Sequence, residues 1–390
     1  MDTFALFAEQ EYKNRHRKLY ESLDVDLGIV FNRSDLFYYS GTGFDGMMTV
    51  DDTMTRYVRR NAALAAQESV IPVQEMPSFR IFKEIAKDSK ISTLGLELDV
   101  LPYRTVSYIT KAFDDPIIVD IGDQLREIRA VKSPAEQEYM KQAAKQTDDS
   151  FEYVRDKIKP GVTEQELSAH IEYYLRKEGH PGYINVRMFH HNLTTLAYVM
   201  TGESTATLNS FFGPVSGQGS CRLHKNGPSQ RKVKADSSVL IDTTGVVEGY
   251  TADETRTFMV GNPDPLLLEA HQAAAEVQKF CEKHLVEGAQ PEAIFAELWE
   301  LVGELGMDKH FMGIGKDTVP FIGHGIGLEL DELPIITDKY HQPLQEGNII
   351  AIEPKLIFDD PRSGVGIEDS YIVGKNSAER ITRTPWDLKC

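Results

Sequence analysis

The sequence predicts an α+β protein of two domains, a smaller α/β domain over residues 1–128 and a larger domain over residues 129–390. Three observations predict it. At 390 residues the chain exceeds what one hydrophobic core serves, since cores stop growing near ~250–300 residues. The first part alternates short apolar strands with helical stretches, the pattern of an α/β unit. From Ser133 onward the pattern changes to pairs of long helices, each followed by strands.

In the first domain, Leu27–Phe31, Met47–Val50, Ser92–Leu98 and Pro116–Ile121 read as strands, with Asn61–Ser69 and Tyr103–Phe113 helical between them. The second domain opens on a helix start written in the residues. Ser133 is a good N-cap, Pro134 fits the first helical position, and Glu136 completes a capping box. Met140, Ala143, Thr147, Phe151, Val154 and Ile158 then recur at helical spacing as one buried stripe. Pro160-Gly161 stops that helix, and Thr163 with Glu166 caps the next, which runs to Gly179. The plan recurs. Asp264 starts a helix through Leu285, Gly288 breaks it, and another follows from Pro291. The correspondence of Gly161 with Gly288 and Leu167 with Ile294 suggests an internal repeat.

Composition narrows the function. With 41% hydrophobic and 26% charged residues the chain is a globular type, and its net charge of −18 repels phosphate backbones, which argues against nucleic acid as a partner. Three cysteines, Cys221, Cys281 and Cys390, form no C-x-x-C pair, so neither a disulfide framework nor a thiolate metal site is expected. The opening MDTFALFAEQEYKNRH lacks the basic start and apolar length of a leader peptide, and no stretch has the length of a membrane span. A cytoplasmic protein with no membrane contact is the expectation.

The chemistry lies in carboxylates inside apolar strands. Val239, Leu240 and Ile241 lead into Asp242, and Asp253 interrupts the returning segment. A four-residue turn over Val246–Gly249 would set the two acids opposite one another, Cβ atoms roughly 5 Å apart. "IIAIEP" carries Glu353 and "VGIEDSYIV" carries Glu368, and a fold-back at Asp360-Pro361 sets these on neighbouring strands. Between the hairpins His324 stands between Gly323 and Gly325, with no side chain to crowd its approach to a metal. Any one of these acids alone is ordinarily a solvated turn residue or a helix cap, and a lone histidine between glycines is ordinarily structural. "GHGIG" lacks the spacing and the lysine of a phosphate loop. In order and on hairpin registers, however, four carboxylates and one imidazole form a hard ligand set whose charge matches two divalent cations.

On these residues the chain resembles the pita-bread metallopeptidases, the family of methionine aminopeptidase, aminopeptidase P, prolidase and creatinase. The carriers are Asp242, Asp253 eleven residues on, His324 in GHGIG, Glu353 before proline and Glu368 in an ED pair. The first 128 residues, with "DLFYYSGT", resemble the creatinase/prolidase N-terminal domain, and the remainder the pita-bread catalytic domain. The resemblance implies a metal-dependent hydrolase of short peptides, an Xaa-Pro aminopeptidase or dipeptidase. It would use two divalent ions (Mn, Co, Zn or Fe) and a bridging hydroxide, and it would form a homodimer. It implies that all five residues are metal ligands and that Glu353 also accepts and shuttles protons. His224 falls where the family keeps a substrate-contacting histidine, and Thr255 and Arg256 match a D-x-T-R-T run that supports the ligands.

Two positions depart from the family. Asp331 stands where its peptidases carry a second histidine that donates to the developing oxyanion. An aspartate cannot donate, so it would instead hold a cationic group of the substrate or face away. Gly366 stands where aminopeptidase P-like members often place an arginine. Both put strict Xaa-Pro specificity in question. Two other readings stay open: a non-peptidase acting on a C–N bond of a small metabolite, creatinase-like, and a binding module without catalysis.

Overall fold

The computed structural model describes residues 6–87, 90–187, 195–208 and 213–389. Residues 1–5 of the leader-peptide reading and Cys390 lie outside them. The chain divides into two compact units, Met1–Arg129 with Arg187–His190, and Ala130–Val186 with His191–Cys390.

In the first unit, helices α1 (Glu9–Ser22), α2 (Arg33–Ser40), α3 (Ala62–Glu68), α4 (Ile81–Lys87), α5 (Tyr103–Ala112) and α6 (Gly122–Ala130) accompany one mixed sheet. Its strands are β1 (Leu27–Val30), β2 (Gly46–Val50), β3 (Met54–Val58), β4 (Val73–Glu75), β5 (Thr93–Leu96) and β6 (Ile117–Asp120), in the order β4-β3-β2-β1-β5-β6. Leu27, Ile29, Leu94 and Leu96 pack with Phe82 and Ile109 as its core. Strands β3 and β4 were not expected: β4 is three partly exposed residues, and β3 carries Arg56, whose buried guanidinium donates to Met47 O and Tyr57 O at 2.8 Å. Arg187 joins this unit despite its place in the sequence, with Nη2 3.3 Å from Glu97 Oε1 and 3.1 Å from Asp99 Oδ1.

The second unit builds helix pair and sheet twice. Helices α7 (Pro134–Arg155) and α8 (Glu164–Lys177) precede β7 (Ala197–Thr201), β8 (Ser237–Val247) and β9 (Tyr250–Val260). Helices α9 (Pro265–His284) and α10 (Pro291–Glu304) precede β10 (Gly323–Gly325), β11 (Glu332–Ile336), β12 (Ile349–Ile352), β13 (Lys355–Asp359), β14 (Arg362–Gly366), β15 (Asp369–Ile372), β16 (Glu379–Arg380) and β17 (Leu388–Lys389). The sheets run β17-β9-β8-β7 and β11-β10-β12-β15-β16, with β13-β14 a separate ribbon.

Each helix pair starts from the cap its sequence supplies. Ser133 accepts from Glu136 N while Glu136 accepts from Ser133 N, and Thr163 and Glu166 do the same for α8. The predicted stripe from Met140 to Ile158 is buried. Phe151, Val154, Leu167 and Ile171 close over Val199, Ile241 and Phe258, while Ala274, Val277, Leu298 and Val302 close over Ile322, Ile350 and Val373. Burial of a large aliphatic side chain contributes about 1.5–3 kcal/mol, so these two cores fix the sheets whose strands carry the acids.

Candidate metal centre

Glu248 and Gly249 join β8 to β9, and both have positive φ, 50° and 86°. Two such residues close a type I′ turn, whose twist matches the strands it joins. The turn is therefore two residues long rather than the expected four, and Val247 pairs with Tyr250. Asp242 accordingly lies opposite Thr255, and Asp253 opposite Thr244. The acids do not face one another directly as expected; they are diagonal neighbours. Because the difference is two residues, an even number, both still project from the same face of the sheet.

The second fold-back keeps the expected register. Ile352 pairs with Asp369 on β12–β15, and Lys355 with Gly366 on β13–β14, so Glu353 and Glu368 fall level in the gap between the two ladders. Pro354, with no N–H, interrupts the ladder there. The freed backbone of Glu368 pairs instead with β9: its N donates to Thr255 O at 2.9 Å, and Thr255 N donates back to Glu368 O at 3.3 Å. This bridge brings one carboxylate pair to the other. Thr255 Oγ1 also donates to Glu368 Oε2 at 2.7 Å, and the fully buried Arg256 donates to Glu368 O at 2.7 Å and to Asp369 Oδ1 at 2.6 Å.

His324 sits at the centre of β10, paired with Ile335 on one side and Ala351 on the other. The glycines flanking it have a different purpose from the one expected. A Cβ at Gly323 would collide with Ala351 O, and one at Gly325 with Leu333 O, so both are needed for close approach of the neighbouring strands. His324 Nδ1 lies 3.0 Å from Gly325 O, which fixes the proton on that nitrogen and leaves Nε2 a lone-pair donor. Nε2 stands 3.9 Å from Glu353 Oε1 and 4.0 Å from Glu368 Oε1. One donor atom each from Asp253, His324 and Glu368 lie within 4.8 Å of one another.

Asp242, Asp253, His324, Glu353 and Glu368 all line one cleft. Buried Glu353 Oε1 has no hydrogen-bond partner among the described residues, an expense of about 1–3 kcal/mol that a cation would remove. Burial pushes Asp253 and Glu353 well above the usual carboxylate range and Asp242 up to about 6. Burial works in the same sense on Glu368, but Lys355 beside it and the hydrogen bond from Thr255 hold it below its ordinary value. A cluster that favours protons this strongly also favours divalent cations, and the residues fit the metal ions their pattern implies.

Lys355 was not expected. Its side chain is 1% exposed, and Nζ lies 2.9 Å from Thr255 Oγ1, 3.0 Å from Glu368 Oε2, 3.5 Å from Glu353 Oε2 and 3.7 Å from Asp242 Oδ2. Burial opposes its charge, but Glu368, Glu353 and Asp242 together raise it above its ordinary range. The available signal was a lone cation in the apolar run from Ile349 to Phe358. Its ladder partner is Gly366, so the cation comes from the strand paired with the one on which the family resemblance places an arginine. Tyr198, paired with Asp242 on β7, also lines the cleft, and burial raises its phenol to about 12.

Asp331 faces the site, with Oδ1 3.6 Å from His324 Nδ1 and its side chain 29% exposed. The stretch before it is pinned by Leu330 N donating to Asn185 O at 2.8 Å. His224 is not brought to the carboxylates. It is exposed, carried outward by a loop closed by Gly219 N donating to Gly227 O at 2.9 Å, and it lines a neighbouring cleft that shares Thr195 and Leu196 with the first.

Residues 138–375 match the model of metallopeptidase family M24, and residues 13–131 that of the creatinase/prolidase N-terminal domain. An Xaa-Pro dipeptidase of Pyrococcus furiosus is 28% identical over 383 residues, covering 96% of this chain and 99% of that protein. Among solved structures, an Xaa-Pro dipeptidase from Bacillus anthracis superposes with a TM-score of 0.81 at 25% identity, covering 98% of this chain and 99% of the other. An X-Pro aminopeptidase from Thermotoga maritima does so at 0.79 and 25%, covering 97% and 99%. The expected architecture, a creatinase-type N-terminal domain before a pita-bread domain, is the one these matches have. With its acids, imidazole and cleft in the matched region, the chain belongs to metallopeptidase family M24 and is a metal-dependent peptidase.

Proposed function

We propose that the protein hydrolyses the bond before proline in Xaa-Pro dipeptides or short peptides. The observation that carries this reading is the convergence of four carboxylates and one imidazole from three separate chain segments in one cleft. The activities for which the relatives are named support it. In this reading Asp242, Asp253, His324, Glu353 and Glu368 hold two divalent ions, of Mn, Co, Zn or Fe. Bound there, such ions acidify a water and polarise a carbonyl. Glu353, whose Oε1 is free of hydrogen bonds among the described residues, takes the proton from the attacking water and passes it to the leaving amine. Asp331, at the wall beside His324, receives a cationic group of the substrate, and His224 in the adjoining cleft contacts its distal part. A homodimer in the cytoplasm completes the proposal, tested by sedimentation and by cell fractionation.

The deciding experiment is elemental analysis of the purified chain with a panel of Xaa-Pro and Xaa-non-Pro dipeptides under added Mn, Co and Zn. Metal-dependent turnover confined to Xaa-Pro is expected. Absence of turnover at every metal, or equal turnover without proline, overturns it. One observation favours a second reading: an acid at Asp331 suits a cationic metabolite with a scissile C–N bond. Turnover of small amidines or betaine-like compounds in place of dipeptides would select that reading. No metal-dependent turnover of either class would leave a binding module.

A further inference from the structure

The cleft of the carboxylates has no side chain to receive the far end of a dipeptide. Its described lining residues include five acids and no arginine or lysine. Lys355 is no substitute: its side chain is 1% exposed, and its ammonium is held by Thr255 Oγ1 at 2.9 Å and Glu368 Oε2 at 3.0 Å. The carboxylate of an Xaa-Pro dipeptide lies one residue from the scissile bond, so it would stay in that cleft with no cationic side chain to hold it. The cations line the neighbouring cleft, which shares Thr195 and Leu196 with the first and is bordered by Arg176, His224 and Lys225. The one acid among its described lining residues, Glu172, is engaged by the hydroxyls of Ser168 and Thr195 at 3.3 and 3.2 Å. Arg176 is fixed where it stands: its guanidinium donates to Pro181 O, and a Cβ at Gly182, whose φ is 84°, would collide with it. No acid among the described residues pairs with that guanidinium, and its other N–H groups suit a carboxylate in bidentate fashion. The same cleft presents two large apolar side chains to solvent, Tyr183 at 79% and Leu223 at 78% exposure, as a surface for a peptide does.

We propose that this second cleft seats the substrate beyond proline: the residues that follow the scissile bond of a tripeptide or longer peptide lie along Tyr183 and Leu223, and Arg176, with Lys225 of the same cleft, holds the terminal carboxylate. The inference rests on the Xaa-Pro reading above and narrows it to peptides longer than two residues. Each added residue extends the chain by roughly 3.3–3.6 Å, and only Thr195 and Leu196 stand at the wall the two clefts share. One or two residues after proline therefore carry the substrate across.

The test is steady-state hydrolysis of Ala-Pro, Ala-Pro-Ala, Ala-Pro-Ala-Ala and the C-terminal amide of the last by the full chain under added Mn, Co or Zn. The expected kcat/KM rises at least about tenfold from dipeptide to tetrapeptide, and amidation lowers the tetrapeptide value about fivefold, through KM, by removing one exposed ion pair. Arg176→Gln should reduce the ratio of tetrapeptide to dipeptide kcat/KM at least about fivefold and blunt the effect of amidation. Calorimetric binding of Ala-Pro-Ala-Ala to the chelator-stripped chain should weaken by a similar factor in that variant. Lys225→Gln serves as the second variant should the first not fold by circular dichroism. Ala-Pro turned over as well as the tetrapeptide, or a folded variant that keeps the native preference for length and for a free carboxylate, overturns this inference alone. No turnover of any proline peptide overturns the Xaa-Pro reading and this inference with it.

Discussion

Gly325→Ala isolates the contribution of strand packing to the metal centre. A Cβ at 325 would stand about 0.8 Å inside the 3.0 Å that Cβ atoms keep from other heavy atoms, and its neighbour is the backbone oxygen of Leu333, which cannot rotate aside. Strand β11 must retreat by ~1 Å, or β10 must, and overpacking of this kind costs about 1–3 kcal/mol. The displacement falls on His324, whose Nδ1 is oriented by the carbonyl of residue 325 itself. Ligand positions tolerate about 0.2 Å before a metal site degrades. Mn affinity should therefore fall at least tenfold, together with a lower thermal midpoint. Gly303→Ala is the control: it lies in α10 with nothing within 4 Å of its Cβ position. There the substitution should stabilise by about 0.5–1 kcal/mol. Calorimetric Mn titration and thermal circular dichroism of both variants read the outcome. Native Mn affinity in Gly325→Ala would refute the claim that these glycines position the imidazole.

Arg256→Met strips a fully buried guanidinium from Asp369 and Glu254 and from the carbonyls of Glu368 and Thr384, so it should destabilise by about 3–5 kcal/mol in urea titration. Glu164→Gln should cost about 1–3 kcal/mol by the same assay, because the buried carboxylate accepts from Thr201 N at 2.8 Å and Ser229 N at 2.9 Å and an amide NH₂ cannot. Burial lowers His271 to about 4, so between pH 6.5 and 4 the unfolded chain binds a proton that the folded chain refuses, and stability falls as the pH drops through that window. His271→Leu, at a site whose Nε2 has no hydrogen-bond partner among the described residues, should flatten that part of the pH–stability curve in thermal melts from pH 7 to 4. An unchanged acid limb would refute the assignment to His271.

What the residues disclosed in advance was whatever is written locally. The caps at Ser133 and Thr163, the buried stripe of α7 and the acids inside apolar strands each depend on neighbours within a few positions. The turn at Glu248-Gly249 differs from the expected one because a glutamate gives no sign that it will adopt a positive φ, and turn length sets register. Lys355 was passed over because a lysine ordinarily reads as surface, and only the long-range approach of Asp242 and Glu368 makes its burial tolerable. Arg187 escaped for the same reason, its acids standing at positions 35, 97 and 99. The loop that carries His224 outward is closed by backbone bonds that no side-chain pattern announces.

The backbone bridge between Thr255 and Glu368 joins chain positions more than a hundred residues apart. The acids therefore meet only when two strand systems, each complete in its own hydrogen bonds, are docked edge to edge. A local opening that parted them would dissolve the cluster while leaving both sheets standing.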